Sequence, residues 1–392
     1  MSKDVIRILH FSSTLRDPYC GIGRYQEQYL AGMAGDKRVV NKFFNISPYQ
    51  TRAMSPEEMD KAMEELKTEL KEYDILHIQH EFGLYWDDQF AKIVAVGKDT
   101  GKKIIVTVHL SPANVPELKP VKLGGLGPHS WMHYAKELRH HNRMLQYHIE
   151  PMKRADLLLV HTTLVAKSLE GFGIEALRIR KLPHPVYDMP VPPKSDEIAK
   201  KLDKQPGDII FCVTGFLHRY KNITDAVKAL KFLPDNYKLA LIGGVKSDSD
   251  EVTYENKITD LVDAMGLHKR VYITGYIEDD SRLNALVREC DVCIYPYDGV
   301  YYGNASSGAL GLAFVNDMPV IAYPTPSFIE GAAEVEGSVV FCETYAYYEI
   351  ARELQRIDFA RQRKLAKEYA IKMAWPKLAK ELIAIYETVI TA

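Results

Sequence analysis

The chain has 392 residues, 46% of them hydrophobic, and this length is enough for two domains with separate cores. Its 50 Lys and Arg residues against 52 Asp and Glu residues give a net charge of −2, so no overall field attracts nucleic acid. The sequence contains no signal-peptide pattern and no run of about 20 apolar residues, and we therefore expect a cytoplasmic protein without a membrane span.

The 5 cysteines are too sparse for a disulfide framework. Cys290 and Cys293 have C-x-x-C spacing, but no second pair completes a zinc site. Together with Cys212 they lie in apolar runs, which predicts buried free thiols.

The N-terminal segment has the pattern that opens a Rossmann-like domain. A buried strand is predicted over 5–11, a glycine turn over 19–25 and a helix over 26–33. The third glycine of a dinucleotide fingerprint is Gln26 here, so a NAD site is poorly supported. The glycines either let a ligand approach the backbone or permit a tight turn.

Polar side chains follow two predicted strands at the points where these strands end. Strand 75–78 leads into His80 and Glu81, and strand 103–108 leads into His109. Because open α/β sheets bind ligands at the carboxyl ends of their strands, these residues predict one wall of a binding cleft. The alternative is that each histidine is a satisfied core residue.

A proline-rich segment over 111–129 shows little periodicity and predicts a long loop that covers a binding site. Residues 131–148 then mix aromatic and basic side chains. Such a helix either rests on an anionic membrane or buries its apolar side chains in a core, and we favour the core.

Six prolines between 183 and 206 indicate a boundary between domains. We place a linker at 187–206, between an N-terminal domain over 1–186 and a C-terminal domain over 207–374. The last segment, 375–392, has apolar residues at helical spacing and is expected to join the core of the N-terminal domain.

The C-terminal domain repeats the alternation of strands and amphipathic helices. Its predicted strands, each followed by a turn, span 208–213, 238–242, 270–273, 292–295 and 320–323. This pattern is typical of a doubly wound parallel sheet.

A glycine- and serine-rich segment over 302–310 precedes an apolar helical run in this domain. Ser307, Gly308 and Ala309 would lie at the helix N-terminus, where free backbone N–H groups and the helix dipole suit a phosphate. An ordinary strand-to-helix turn with nothing bound is the alternative.

Over essentially its whole length, the chain resembles the retaining glycosyltransferases of family 4, which have the GT-B architecture. The segment 20–25 is similar to their acceptor-side glycine loop, 79–83 to a motif of one branch, and 214–222 to their phosphate-binding turn. The resemblance implies an α/β fold of two Rossmann-like parallel-sheet domains that face each other across a cleft.

The resemblance also implies roles for individual residues. As catalytic groups it implies His109 at the donor sugar, Lys221 at the diphosphate, Asn304, and Arg219 in place of a family arginine that is Phe216 here. The residues implied for donor binding are Gly215, Tyr276, Ser306, Ser307, Gly308, Ala309, Leu310 and Glu330. Those implied on the acceptor side are Gly21, Ile22, Gly23, Arg24, His80 and Glu81.

The chain departs from the family at its best-known pair of glutamates, whose positions are Asn304 and Leu312 here. Both carboxylates are missing, as in relatives with a Ser-Gly-Ala-Leu loop, which is present as Ser307–Leu310. The departure leaves open which group contacts the ribose and what replaces one catalytic group.

The activity implied by the resemblance is transfer of a hexose, with retention of configuration, from a UDP- or GDP-hexose to a glycan or lipid-linked acceptor. Such transfer belongs to surface polysaccharide or glycolipid synthesis, in the cytoplasm or on the inner face of the membrane. No D-x-D-like ligand pair is evident, so we expect no metal and no other cofactor. An epimerase or phosphorylase of the same fold and a catalytically silent nucleotide-sugar-binding protein are the alternatives.

Overall fold

The computed structural model describes residues 5–12, 21–45, 54–124, 127–186, 192–193, 195–245, 249–299 and 308–391. The chain divides into two compact units. Unit 1 comprises Met1–Pro183, Asn304–Ser306 and Trp375–Ala392, and unit 2 comprises His184–Gly303 and Ser307–Ala374.

Each unit has a six-stranded sheet in its described part, and all strand pairs are parallel. In unit 1 the strands are β1 Ile6–Ser12, β2 Val39–Asn45, β3 Ile75–His80, β4 Lys103–Val108, β5 Leu157–Val160 and β6 Ile179–Lys181, in the order β2-β1-β3-β4-β5-β6. In unit 2 they are β7 Ile209–Thr214, β8 Tyr237–Ile242, β9 Val271–Ile273, β10 Val292–Tyr295, β11 Val320–Ala322 and β12 Val340–Phe341, in the order β12-β11-β10-β7-β8-β9. The predicted α/β fold with two parallel sheets is confirmed, whereas β2 and β12 were not anticipated.

Helices connect the strands in both units. Helices α1 to α6 of unit 1 span Gly21–Met33, Pro56–Leu70, Gln89–Asp99, Pro128–Met144, Glu150–Arg154 and Thr163–Gly171. Helices α7 to α14 of unit 2 span Glu197–Lys201, Ile223–Ala229, Ser249–Ala264, Asp280–Arg288, Gly308–Val315, Pro326–Ala332, Tyr347–Arg356 and Phe359–Lys372. Helix α15, Trp375–Thr391, is again part of unit 1.

Local sequence explains where α2 begins. The Ser55 side chain accepts a hydrogen bond from the backbone N–H of Glu58, and the Glu58 carboxylate accepts one from the backbone N–H of Ser55. This capping box satisfies two orphan N–H groups, and Pro56 at the first helical position has none to satisfy.

Helix α1 begins at Gly21, five residues earlier than the predicted start at Gln26. Each helical glycine costs about 1 kcal/mol relative to alanine. Complete or nearly complete burial of Tyr25 and Tyr29 on the inner side of α1 offsets that cost. The described part of the expected glycine turn, 21–25, therefore belongs to the start of this helix.

Helix α4 corrects the prediction for 131–148. No residue of α4 is buried, and Trp131, Met132 and Leu138 are 48%, 63% and 38% exposed. Burial begins only after α4, where a single π-helical turn over Leu145–Ile149 places His148 and Ile149 in the core. The interleaved basic residues keep α4 on the surface because burying unpaired charges is costly.

The second half of the expected linker is an ordered part of unit 2. Ile198 and Leu202 are buried, and the Glu289 carboxylate accepts hydrogen bonds from the backbone N–H groups of Glu197 and Ala199. An acidic side chain at the N-terminus of α7 also interacts favourably with the helix dipole. The charged residues of this segment therefore lie on the solvent-exposed face of α7, whose other face is packed against unit 2.

The predicted free thiols are confirmed in the core of unit 2. Cys212 and Cys293 are paired across β7 and β10 with their Sγ atoms 3.6 Å apart, and both are free and buried, as is Cys290. None of the helices in the described ranges has the length and apolar character needed to span a membrane.

Helix α15 anchors to unit 1 through an apolar face that includes Leu378 and Leu382, which are 3% and 1% exposed. Its close approach to α1 requires a small residue, since a Cβ on Gly32 would lie 3.2 Å from the Cβ of Ala379.

We expect Leu382→Ala to lower the free energy of unfolding by about 2–5 kcal/mol through lost burial and a residual cavity. Urea denaturation measures this loss. Glu381→Ala, on the exposed side, is the matched control, and an equal effect of both substitutions would contradict the packing described here.

Candidate functional site

Three neighbouring strand ends of unit 2 meet in a glycine-lined edge. A Cβ on Gly243 would lie 2.2 Å from the carbonyl oxygen of Gly215, and one on Gly244 would lie 2.3 Å from the backbone nitrogen of Tyr276. Gly215 and Gly243 also have φ angles of 85° and 147°. Only glycine permits this approach of the turns after β7, β8 and β9.

Lys221 is fixed beside this edge by the 3-10 turn Arg219–Lys221. Its side chain is buried, and Nζ donates a hydrogen bond of 2.9 Å to the carbonyl oxygen of Thr214. Nζ also lies 5.8 Å from the centre of the Tyr297 ring, a distance at which the ring stabilises a cation. The ammonium group therefore stands at the end of β7, while Arg219 is exposed.

Tyr295 connects the end of β7 to the start of α11. Its hydroxyl donates a 2.9 Å hydrogen bond to the carbonyl oxygen of Ala309 and lies 3.2 Å from Oγ1 of Thr214. Thr214 thus contacts both Lys221 and Tyr295, and Tyr295 is hydrogen-bonded to the first turn of α11. The predicted helix start is present at Gly308, whereas Asn304, Ser306 and Ser307 lie outside the described residues.

The remaining predicted donor-side residues lie on neighbouring elements of unit 2. Tyr276 stacks on Phe216 with ring centres 5.7 Å apart and planes 10° from parallel, so an aromatic pair occupies the position where the resembled family has an arginine. Leu310 is buried against α12, where a Cβ on Gly331 would lie 3.0 Å from Leu310 Cδ1. Glu330 belongs to α12, whose N-terminus is capped by the side chain of Thr325.

In unit 1, His109 is held by groups from two neighbouring strand ends. Its Nε2 lies 2.8 Å from Oε1 of Gln79, and its Nδ1 lies 3.3 Å from Nε2 of His161. The ring of Tyr25 packs edge-on against His109 and against His161, with ring centres 4.9 Å and 5.2 Å apart. Both ring nitrogens of His109 therefore have partners inside unit 1.

The backbone after β6 anchors His161 in turn. Nδ1 of His161 donates to the carbonyl oxygen of Leu182, at 2.9 Å, because a carbonyl only accepts. The two histidines and Gln79 therefore form one hydrogen-bonded chain across the strand ends of unit 1.

Sequence reasoning missed His161 although a signal was present. Strands β3, β4 and β5 are each completed or followed by a histidine, namely His80, His109 and His161. In a parallel sheet these positions share one edge, so the repeated strand-end histidine itself pointed to the contact between His109 and His161.

The predicted acceptor-side residues divide between α1 and the end of β3. Gly21, Ile22, Gly23 and Arg24 form the first turn of α1, which carries Tyr25 to His109 and His161. His80 is fully buried on the opposite face of the sheet, and its Nε2 lies 2.9 Å from Nδ1 of His148.

A cavity of about 440 Å³ lies at the foot of α4, and we call it the α4 cavity. Its lining includes Glu81 after β3, Asn114 and Glu117 after β4, and Arg143 and His148 around the end of α4. His80 is not among the lining residues, but it is hydrogen-bonded to His148, which lines the cavity. Burial lowers the pKa of His148 to about 4 and, with the neighbouring His148, holds the pKa of His80 well below its usual range. Both rings are therefore neutral at pH 7.

The comparisons with known proteins agree with this geometry. Residues 194–370 match the family model described as Glycosyl transferases group 1. This segment of the chain is therefore similar to group 1 glycosyltransferases. It includes the glycine-lined edge, Lys221 and Tyr295. No curated protein sequence matches the chain at a significant level.

Solved structures resemble the whole chain in fold. HepE from Anabaena in complex with UDP has a TM-score of 0.70 at 13% identity, over 98% of this chain and 100% of its own. Sucrose-phosphate synthase from Thermosynechococcus elongatus has a TM-score of 0.66 at 18% identity, over 98% and 99%. The lipopolysaccharide outer core galactosyltransferase WaaB has a TM-score of 0.59 at 14% identity, over 97% and 100%. The fold is GT-B, as the resemblance had implied.

The metal-free character of the site stays a prediction. Within the residues that the structure describes, no group of three or more His, Cys, Asp and Glu side chains is arranged to hold a metal ion. The roles of the individual site residues are likewise proposals, which are argued below.

The buried histidines predict acid sensitivity. Since the pKa of His148 is about 4 in the folded state and about 6.5 when unfolded, the unfolded state binds more protons between these values, and stability falls as pH drops. From pH 7 to pH 5 this group should remove about 2 kcal/mol of the free energy of unfolding.

Urea denaturation of His148→Gln should therefore show a smaller loss between pH 7 and pH 5 than the unchanged chain. The control His129→Gln alters an exposed histidine of α4 and should leave the loss unchanged. An identical pH dependence in His148→Gln would rule out His148 as a source of acid sensitivity.

Proposed function

We propose that this protein is a retaining glycosyltransferase that transfers a hexose from a nucleotide-diphosphate sugar to a glycan or lipid-linked acceptor. The observation that carries the proposal is that the matched domain, 194–370, contains a glycine-lined edge with a buried lysine fixed beside it. A UDP-hexose is the first donor to test and a GDP-hexose the second, because structures of the similar Anabaena HepE contain UDP and UDP-glucose. Surface polysaccharide or glycolipid synthesis is the process that such an activity would serve.

At the anomeric carbon the reaction makes one bond and breaks one. An acceptor oxygen bonds to the anomeric carbon, the bond from that carbon to the phosphate oxygen breaks, and its electron pair stays on the leaving diphosphate. Lys221 and the N–H groups in the first turn of α11 would stabilise the negative charge that grows there. These fixed donors would make a metal ion unnecessary.

Retention of configuration is compatible with a site that is poor in carboxylates. In attack from the same face as the leaving group, the acceptor hydroxyl gives its proton to a leaving phosphate oxygen. No side-chain base is then needed at Asn304 or Leu312, where the resembled family has glutamates. Tyr295 would act as a positioning residue, since it joins Ala309 to Thr214.

His109 would contact the hexose by exchanging one of its present bonds. A sugar hydroxyl replaces either Gln79 at Nε2 or His161 at Nδ1 in this proposal. The remaining bond would keep the ring oriented. Loss of one bond and gain of another costs little, so the imidazole is available to a ligand without unfolding of its surroundings.

Lys221→Ala tests the proposed chemistry after a thermal-shift panel of UDP- and GDP-hexoses has selected the donor. We expect kcat for nucleoside diphosphate release to fall by about 10²–10³-fold, with a smaller loss of donor affinity, because the ammonium interacts most strongly with the developing charge. Activity of the unchanged chain should persist in a chelator.

The control Lys231→Ala removes an exposed lysine of the same unit and should retain full activity. An unchanged kcat in Lys221→Ala would exclude Lys221 from the mechanism. Release of sugar 1-phosphate, or an inverted sugar without an acceptor, would instead identify a phosphorylase or an epimerase.

We also propose that α4 contacts an anionic membrane surface, which fits a lipid-linked acceptor. Met132, Lys136 and Arg139 occur at spacings of four and three residues and so share one exposed side of the helix. Exposed Trp131 and Leu138 lie next to that side. A cationic face with apolar side chains at its border suits the boundary between lipid headgroups and acyl chains.

Sedimentation with vesicles tests the membrane contact. Lys136→Glu/Arg139→Glu should weaken binding to vesicles of phosphatidylcholine and phosphatidylglycerol by at least tenfold, because each basic residue contributes about 1 kcal/mol near an anionic surface. The control Lys200→Glu/Lys201→Glu makes the same change of charge on exposed residues of unit 2 and should not alter binding. Equal binding of all three proteins would refute the contact.

A further inference from the structure

The α4 cavity contains a buried amide donor that no described protein atom satisfies. Asn114 lines the cavity, and its Nδ2 atom is buried without a hydrogen-bond partner. A buried unpaired donor costs about 1–3 kcal/mol, so native structures rarely keep one unless another molecule satisfies it. Because Asn114 borders the cavity, rotation of its side chain would present this amide to a ligand with hydrogen-bond acceptors.

A second donor is available from His148. Nδ1 of His80 is buried without a partner in the described structure, while Nε2 of His80 bonds to Nδ1 of His148. If His80 donates from Nε2, its Nδ1 carries only a lone pair, and no buried N–H of His80 is left unbonded. The neutral His148 then carries its own proton on Nε2, and His148 is the member of the pair that lines the cavity.

The charges around the cavity disfavour an anion. Glu81, Asp87 and Glu117 contribute three carboxylates to the lining, and Arg143 forms an ion pair with Asp87. His140 lies 3.6 Å from a carboxylate oxygen of Glu117 but is exposed. A phosphate or a sugar acid would face more negative than positive charge here, whereas neutral hydroxyl groups can donate to the carboxylates.

Aromatic side chains provide the apolar part of the lining. Phe82, Tyr85, Trp86 and Tyr147 surround the space, and Trp86 is 54% exposed. The negative face of an aromatic ring attracts the weakly positive C–H edges of a ligand. A volume of about 440 Å³ falls within the usual range of small-molecule pockets.

From these features we infer that the α4 cavity binds an uncharged hexose ring, which is the carbohydrate end of the acceptor. Asn114 and His148 donate to ring substituents, the carboxylates accept from hydroxyl groups, and Trp86 packs on a C–H face. The binding site follows from the cavity alone, whereas its role as the acceptor site rests on the proposed function.

Tryptophan fluorescence offers a direct test. The chain has 3 tryptophans, and in a Trp131→Phe background only Trp86 and the buried Trp375 remain, so changes in emission report on Trp86. We expect at least one of the methyl glucoside, galactoside and mannoside to cause a saturable change. Glucose 6-phosphate and glucuronate should bind at least fivefold more weakly than that hexoside.

Two matched asparagine variants test whether hexoside binding depends on the cavity or on the exposed surface of α4. In the same background, Asn114→Leu should raise the dissociation constant at least fivefold, and Asn142→Leu, which alters an exposed residue outside the cavity lining, should leave it unchanged. Calorimetry with UDP on the same variants should show no change. Equal effects of the two variants, or no saturable change with any neutral hexoside, would overturn the inference.

The two proposals fail in different ways. If UDP binds but no neutral hexoside binds through Asn114, the cavity inference is wrong and the transferase proposal stands. If a hexoside binds through Asn114 but no nucleotide or nucleotide sugar binds to the protein, the cavity holds a sugar, and its assignment as an acceptor site is wrong together with the proposed function.

Discussion

Both units depend on the same constraint, which is that parallel strands present all their carboxyl ends at one edge of a sheet. Backbone groups at that edge have no further strand to pair with, so turns, helix starts and polar side chains must satisfy them. At this edge unit 2 has glycine turns and a lysine, and unit 1 has histidines and a glutamine. The chemistry available to each unit follows from that difference.

The strands that are buried on both sides were predictable, because their residues form short apolar runs that end in turns. Strand β2 escaped prediction because it is an edge strand, and Lys42 lies among its apolar residues. The position of helix α4 in the sequence was predicted correctly, but its exposure to solvent was not. Its aromatic residues have the spacing of a core face, and only the surrounding structure shows that no part of the described chain buries them.

Much of the candidate site was predictable from residues that follow strands, and its internal bonds were not. Lys221 and Gly215 could be named from the resemblance of 214–222 to a phosphate-binding turn, but the link from Thr214 through Tyr295 to Ala309 joins residues that are distant in sequence. The alternation of side chains along β3 decides that Gln79 reaches His109 while His80 turns into the opposite core. A one-residue error in the strand would reverse these roles, so the pattern of polar residues alone could not assign them.

Because the two units carry different charges at these sites, each unit favours a different proposed ligand. Unit 2 offers a diphosphate the fixed ammonium group of Lys221, whereas the α4 cavity of unit 1 offers it mainly carboxylates. A neutral sugar ring has the opposite preference, because aromatic faces and carboxylate acceptors suit its C–H and O–H groups. At pH 7 the neutral state of His80 and His148 maintains this separation, since protonation of either ring would place a cation beside the cavity and weaken its discrimination against anions. If the α4 cavity binds a neutral sugar as proposed, desolvation of the two histidines contributes to selectivity as well as to acid sensitivity.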